Sequence, residues 1–63
     1  MIYNRRIIGE RIKEIRKSVH WTQKELASQL GVYRETVARW ELGLRKPHPM
    51  ALKLIELVTG IRL

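Results

Sequence analysis

Residues 22–42 read TQKELASQLGVYRETVARWEL, and this stretch decides the fold. It opens on a threonine with a glutamate three positions later, the pattern of a capping box at the start of a helix. Gly31 supplies the positive-φ residue at which that helix ends and the chain turns sharply. A second helical pattern follows, with Val37 and Trp40 on its apolar side. The sequence therefore predicts two short helices joined by a tight turn within residues 23–42.

The sequence on either side of this stretch predicts two further helices. Asn4 is a candidate N-cap for a first helix that runs to about Ser18, because apolar residues recur there at spacings of three and four. Either Pro47 or Pro49 opens a fourth helix as its N1 residue, and Gly60 closes it. The apolar face expected to be buried in that last helix consists of Ala51, Leu54, Ile55 and Val58. We therefore expect an all-α fold of four helices.

Small and branched residues predict where these helices touch. Ala27 allows the third helix to cross the second, and Val37 is a branched wedge that holds the pair at about 90–120°. Gly9 lies inside the first helix, where glycine costs up to about 1 kcal/mol relative to alanine. We expect another helix to approach closely at Gly9, because such a contact would account for the glycine.

The composition describes a small and strongly basic domain. Its 63 residues are enough for one domain, taken as residues 1–63, and 13 Lys and Arg against 6 Asp and Glu leave a net charge of +7. A charge of this size favours a polyanionic partner, and composition alone leaves DNA, RNA, anionic lipid and a merely solvated surface open. No apolar run approaches the roughly 18 residues of a membrane helix, so we expect no membrane partner and a cytoplasmic location.

The sequence does not show the residue patterns of an enzyme or a metal centre. The chain has no cysteine, and its two histidines, His20 and His48, lie far apart without a supporting carboxylate cluster. There is also no nucleophile paired with a base and no glycine-rich phosphate loop. We therefore expect no enzymatic activity, no metal and no cofactor.

Five segments carry a resemblance to a known family. They are RIKEIR at 11–16, WTQKELA at 21–27, VARWE at 37–41, GLRKP at 43–47 and ALKLI at 51–55. Together they resemble the phage-repressor-like helix-turn-helix family, also called the Cro/C1 or XRE type, over roughly residues 7–59. Two of the segments are especially similar to small antitoxin-type members. The resemblance implies a small four-helix, lambda-repressor-like DNA-binding domain.

The resemblance also implies roles for individual residues. The third helix, about residues 34–42, would lie in the major groove of double-stranded DNA. The expected base contacts are Tyr33, Arg34, Glu35 and Arg39. The expected phosphate contacts are Thr22, Gln23, Arg45 and Lys46, and Gln23 is also expected to brace the third helix. A structural ion pair that joins the first helix to the end of the third is expected between Arg16 and Glu41.

Some of these positions leave alternatives open. Arginine suits guanine, whose O6 and N7 accept its paired donors, but Glu35 and Arg39 are four residues apart and could form an i,i+4 ion pair. The other role open to Glu35 is direct acceptance of a hydrogen bond from cytosine N4. Tyr33 stands where the family commonly has Ser or Thr. It gives up a helix cap worth about 1 kcal/mol, and would touch a phosphate or a thymine methyl instead.

The function predicted from these features is sequence-specific DNA binding by a transcriptional regulator that represses by occupancy. One small domain reads few base pairs, so we expect a homodimer on an inverted repeat, at the nucleoid. The candidates for an apolar pairing patch are Ile61 and Leu63 with Met1, Ile2 and Tyr3. The alternatives are an antitoxin-type module that also binds a small toxin protein, and association with RNA or the ribosome.

Overall fold

The computed structural model describes residues 4–63, and four α-helices follow one another within that range. They are α1 (Arg5–Ser18), α2 (Gln23–Leu30), α3 (Arg34–Glu41) and α4 (Pro49–Thr59). No β-strand occurs between residues 4 and 63. The predicted all-α, four-helix fold is confirmed. The third helix ends one residue earlier than expected, which is within the usual spread of helix ends.

Side-chain caps fix where α1 and α2 begin. Asn4 Oδ1 accepts a hydrogen bond from the Arg6 N–H at 2.8 Å. At α2 the Glu25 N–H donates to Thr22 Oγ1 at 3.0 Å and the Thr22 N–H donates to Glu25 Oε1 at 2.8 Å, which completes the capping box. Between the two helices His20 takes a φ of 61°, a left-handed value at which the chain leaves α1.

The starts of α3 and α4 differ from this pattern. Tyr33 precedes α3 in an extended conformation and makes no side-chain cap hydrogen bond, as its residue type predicts. Of the two prolines that could open α4, Pro49 is the N1 residue, and Pro47 is buried in the preceding loop. His48 caps α4, because its Nδ1 accepts from the Met50 N–H at 3.1 Å.

One apolar cluster holds the four helices together. Each helix contributes its inner face, and α1 contributes the most residues. The buried members are Ile8, Ile12, Ile15, Leu26, Ala27, Val37, Trp40 and Ile55. Trp21 is half-buried and packs against this cluster, so only one of the two tryptophans expected in the core lies within it.

Gly9 brings α1 and α3 into backbone contact. A Cβ atom built on Gly9 would overlap the carbonyl oxygen of Trp40 and lie 3.0 Å from that of Glu41. Both oxygens belong to the backbone at the end of α3, so neither can move without shifting that helix. The close helix contact predicted at Gly9 is therefore present, and it explains a glycine in the interior of a helix.

The chain after α4 folds back onto the core. Ile61 and Leu63 are half-buried and pack against the apolar cluster. The Leu63 N–H also donates to Glu56 Oε2 at 2.8 Å, which fixes the end of the chain to α4. The C-terminal part of the candidate pairing patch therefore faces the core of its own chain. The remaining members of that patch, Met1, Ile2 and Tyr3, lie outside the described residues.

Candidate nucleic-acid interface

Helices α2 and α3 form a pair around a tight turn. α2 ends at Gly31, whose φ is 72°, and the Val32 N–H donates to the carbonyl oxygen of Ala27 at 3.0 Å. Ala27 and Val37 are 2% and 0% exposed, so the small residue and the branched wedge both lie in the core. Because Val37 is buried in the core, the opposite side of α3 faces solvent.

The residues expected to touch bases lie on that outer side or next to it. Arg34, Glu35 and Arg39 are exposed, and Tyr33, which precedes the helix, is 81% exposed. Among the described residues no ion pair joins Glu35 to Arg39, so the i,i+4 alternative is not realised. All four side chains are therefore accessible to a ligand that lies along α3.

A buried ion pair fastens the end of α3 to α1. Arg16 Nε lies 2.7 Å from Glu41 Oε2, and Arg16 Nη2 donates to Glu41 Oε1 at 3.1 Å, a two-point contact. The two side chains are only 10% and 3% exposed. Arg16 Nη1 donates a third hydrogen bond to the carbonyl oxygen of Trp21 at 2.8 Å. The structure thus brings the two residues of the expected ion pair into direct contact.

Gln23 connects this ion pair to Arg34. Its Nε2 donates to Glu41 Oε1 at 3.0 Å, and its Oε1 accepts from Arg34 Nη1 at 3.1 Å. The orientation of the amide follows from chemistry, because an ionised carboxylate can only accept and a guanidinium can only donate. A chain of hydrogen bonds therefore runs from the core through Gln23 to an exposed arginine at the start of α3.

The loop after α3 presents two basic side chains. Gly43 turns the chain with a φ of 75°, and the N–H groups of Leu44 and Arg45 donate to the carbonyl oxygen of Arg39 at 2.9 and 3.3 Å. Arg45 and Lys46 are exposed and border an open groove of about 400 Å³. The groove is also lined by Thr36, Trp40 and His48. A polyanion that lies along α3 would meet both basic groups.

Sequence reasoning missed two residues of this surface, Thr36 and His48, which line the groove. The resemblance implied that Gln23 braces the third helix, and its hydrogen bonds to Glu41 and Arg34 are contacts of that kind. Thr36 lies four residues before the buried Trp40, so helical spacing already put it beside the tryptophan. His48 precedes a proline, which is an N-cap signal. No local pattern relates Gln23 to Glu41, because they are 18 residues apart.

Residues 4–63 contain neither a candidate metal site nor a helix suited to cross a membrane. No group of three or more His, Cys, Asp or Glu side chains in this part of the chain could hold a metal ion. None of its helices combines the length and apolar content needed to cross a bilayer. The surface instead carries most of the chain's 13 Lys and Arg. The fold and this basic surface together define a helix-turn-helix domain.

The chain belongs to the helix-turn-helix family of the Cro/C1 (XRE) type, whose model matches residues 12–63, and the predicted family is confirmed. It is 43% identical over 51 residues to the type II methyltransferase M.SsoII of Shigella sonnei, a match that covers 76% of the chain and 14% of the methyltransferase. It is 36% identical over 55 residues to a protein of Methanoculleus marisnigri named as an HTH-type transcriptional regulatory protein, covering 87% of the chain and 18% of that protein. The chain therefore corresponds to a small part of each relative.

Proposed function

We propose that this chain binds double-stranded DNA in a sequence-specific manner and regulates transcription, with α3 lying in the major groove. The observation that carries this proposal is that α3 has one buried apolar side and one exposed polar side. Val37 and Trp40 are buried, whereas Arg34, Glu35 and Arg39 project into solvent. A helix with a polar outer side fits the major groove, which is about 12 Å wide. Membership of the family and the relative named as a regulatory protein support the same function.

The exposed side chains of α3 supply donors and an acceptor for base edges. Arg34 and Arg39 offer paired N–H donors to O6 and N7 of guanine, and Glu35 accepts from N4 of cytosine. Each good two-point contact gives about 1–3 kcal/mol of discrimination against the wrong base. Tyr33 contacts a phosphate or a thymine methyl. The Arg34 side chain is already held by Gln23 before it contacts a base, which reduces the side-chain entropy lost on binding.

Phosphate contacts keep α3 in register, and they come from two places. At the start of α2, Thr22 Oγ1 accepts from the Glu25 N–H, which leaves its hydroxyl hydrogen for a phosphate oxygen. Gln23 follows at the first position of α2, where unpaired backbone N–H groups also favour an anion. Beyond α3 the contacts are Arg45 and Lys46. These contacts carry no sequence information and make the affinity depend on salt.

The size of the domain suggests how it acts. A domain that reads a few base pairs gains selectivity as a homodimer on an inverted repeat, and it represses by occupying the site where polymerase would bind. Such a protein works in the cytoplasm, on the nucleoid. We propose no enzymatic activity for it, because the similarity to a methyltransferase covers only 14% of that enzyme.

Selection from a pool of random duplexes at about 150 mM salt, where nonspecific phosphate attraction is weakened, tests this function. Enrichment of one sequence is the expected result, and an inverted repeat in it would indicate two reading domains. Arg39→Ala keeps the fold, because Arg39 is exposed, and it should enrich a less defined sequence, because it lacks one base contact. If wild type and Arg39→Ala both enrich nothing, the groove assignment of α3 is wrong.

The second candidate function is an antitoxin-type module that binds a small protein as well as DNA. It is favoured by Ile7, Leu42 and Leu44, which are 60%, 70% and 66% exposed. The segments that hold them meet, because a Cβ on Gly43 would lie 3.1 Å from Arg6 Cα. The test is purification together with a second small protein. Loss of that protein in Leu44→Glu, with DNA binding kept, would favour this module, and purification of the chain alone would count against it.

A further inference from the structure

The groove beside α3 contains an exposed histidine as well as the two basic side chains of the loop after that helix. His48 lines this open groove of about 400 Å³ together with Thr36 and Trp40. Arg45 and Lys46 border the same groove, and they are the phosphate contacts expected from the loop. An anion that these two cations attract therefore comes within reach of the imidazole.

The hydrogen bond that caps α4 decides which ring nitrogen of His48 carries the proton. Nδ1 accepts from the Met50 N–H at 3.1 Å, and a nitrogen that accepts a hydrogen bond has no proton of its own. In the neutral imidazole the proton therefore lies on Nε2, at the opposite edge of the ring. His48 thus presents an N–H donor away from the backbone of α4, and it can contact an anion without taking up a proton.

The backbone and the ring of His48 are held in place before any ligand binds. Pro47 on one side is fully buried, and Pro49 on the other is the N1 residue of α4. The following proline also confines His48 to extended backbone, where its ψ is 146°. Because the cap bond fixes the ring, little side-chain entropy remains to be lost on contact with an anion. The α4 dipole and the Met50 N–H also polarise the ring, which makes Nε2–H a better donor.

We propose that His48 Nε2–H donates a hydrogen bond to a phosphate oxygen of DNA, as a neutral contact beside Arg45 and Lys46. The inference rests on the proposed function and adds a residue to the same binding surface. A neutral donor differs from the two cations in its effect on salt dependence. Neutralising a phosphate releases counterions and steepens the dependence of binding on salt, whereas a neutral N–H leaves it unchanged. His48 therefore adds affinity for every sequence and no salt dependence.

Two substitutions separate the cap from the donor, because each keeps the function of one ring nitrogen. His48→Asn places an oxygen where Nδ1 accepts, and asparagine is among the best N-caps, but its amide ends one bond short of Nε2. His48→Gln places an amide N–H as many bonds from Cα as Nε2, and it lacks the cap. We expect His48→Asn to unfold in urea as wild type does and to bind DNA about 10-fold more weakly. His48→Gln should be less stable and should bind more tightly than His48→Asn.

The probe is a random duplex of about 20 base pairs, titrated by fluorescence anisotropy between about 50 and 200 mM salt. The titrations are made at about pH 8, where histidine side chains are normally neutral. Both variants should keep the salt slope of wild type, whereas Lys46→Ala, the charged comparison in the same loop, should lower it by about one. Nitrogen-15 NMR of the wild-type imidazole should show the Nε2–H tautomer, with the Nε2 proton moving downfield when the duplex binds.

The other outcomes overturn the proposal. Equal binding by wild type and His48→Asn would show that Nε2 contacts no phosphate, and a salt slope lowered by about one in His48→Asn would show a charged contact instead. Weaker binding by His48→Gln than by His48→Asn would show that His48 acts only through the cap of α4. Wild type still binds the duplex in each case, so the proposed function stands. Failure of wild type to bind the random duplex at about 50 mM salt would instead end the proposed function, and this inference with it.

Discussion

Replacing Glu41 with leucine would leave the Arg16 guanidinium charged and buried without its carboxylate. Arg16 is 10% exposed and Glu41 is 3% exposed, so water cannot take over the lost contacts. Breaking a buried ion pair in this way costs about 3–5 kcal/mol. A domain of this length has roughly 3–9 kcal/mol of total stability, at about 0.05–0.15 kcal/mol per residue. Glu41→Leu should therefore lose most or all of the free energy of unfolding.

The reverse change and the double change complete the cycle. Arg16→Met strands Glu41, which keeps one hydrogen bond from Gln23, so we expect a loss near the lower end, about 3 kcal/mol. The double variant removes both charges, and apolar replacement of a buried pair is often neutral. Its remaining loss is the bond to the Trp21 carbonyl, about 1 kcal/mol. The double variant should thus be more stable than either single variant.

Urea unfolding at 25 °C, followed by far-UV circular dichroism, measures all four proteins. The exposed pair Arg6–Glu10, whose atoms lie 3.8 Å apart with side chains 83% and 65% exposed, is the control. The same substitutions there should change stability by less than about 0.5 kcal/mol. Losses below about 1 kcal/mol in both buried single variants, with additive behaviour in the double, would refute the reasoning, because they would show that solvent reaches the pair.

The remaining predictions concern packing and DNA. Gly9→Ala should destabilise by about 1–3 kcal/mol despite the better helix propensity of alanine, because the added methyl overlaps a backbone oxygen of α3; a raised melting temperature would contradict this. Arg39→Ala should relax base preference, whereas Lys46→Ala should weaken binding to all sequences and lower the salt slope by about one. Salt titrations on selected and random duplexes separate the two, and identical behaviour would count against the groove assignment. Gln23→Ala should release the Arg34 guanidinium and reduce discrimination at one base pair in competition assays. Unchanged discrimination there would mean that Arg34 needs no support.

Local sequence signals accounted for most of the helix boundaries. The capping box at Thr22, the cap at Asn4 and the positive φ at Gly31 are each set by residues within a few positions of one another. The left-handed φ of His20, where the chain leaves α1, is likewise a property of a single residue. Local interactions of this kind can be predicted from one sequence, because they depend only on the backbone and on residues a few positions away.

Contacts between distant segments were harder to predict. The family resemblance implied the Arg16–Glu41 pair and a brace from Gln23 to the third helix, but no pattern revealed that Gln23 bonds to Glu41. Periodicity also failed to separate the two apolar sides of α4. Leu54 was expected on the core face with Ile55, and it lies instead on the side of α4 where Met50 and Leu57 are exposed. Spacing shows that residues share a side of a helix, and only packing decides which side is buried.

The attachment of α3 is uneven along its length, and this bears on which changes in a DNA site it will tolerate. Its last turn is clamped to α1 by the backbone contact at Gly9 and by the buried ion pair. Its first turn has no cap at Tyr33 and is tied down through Arg34 and Gln23, at the surface. The start of α3 is therefore held less firmly than its end, and its amide hydrogens should exchange faster. The base preference under Arg34 should therefore depend on the hydrogen bond to Gln23, whereas the preference under Arg39 should not.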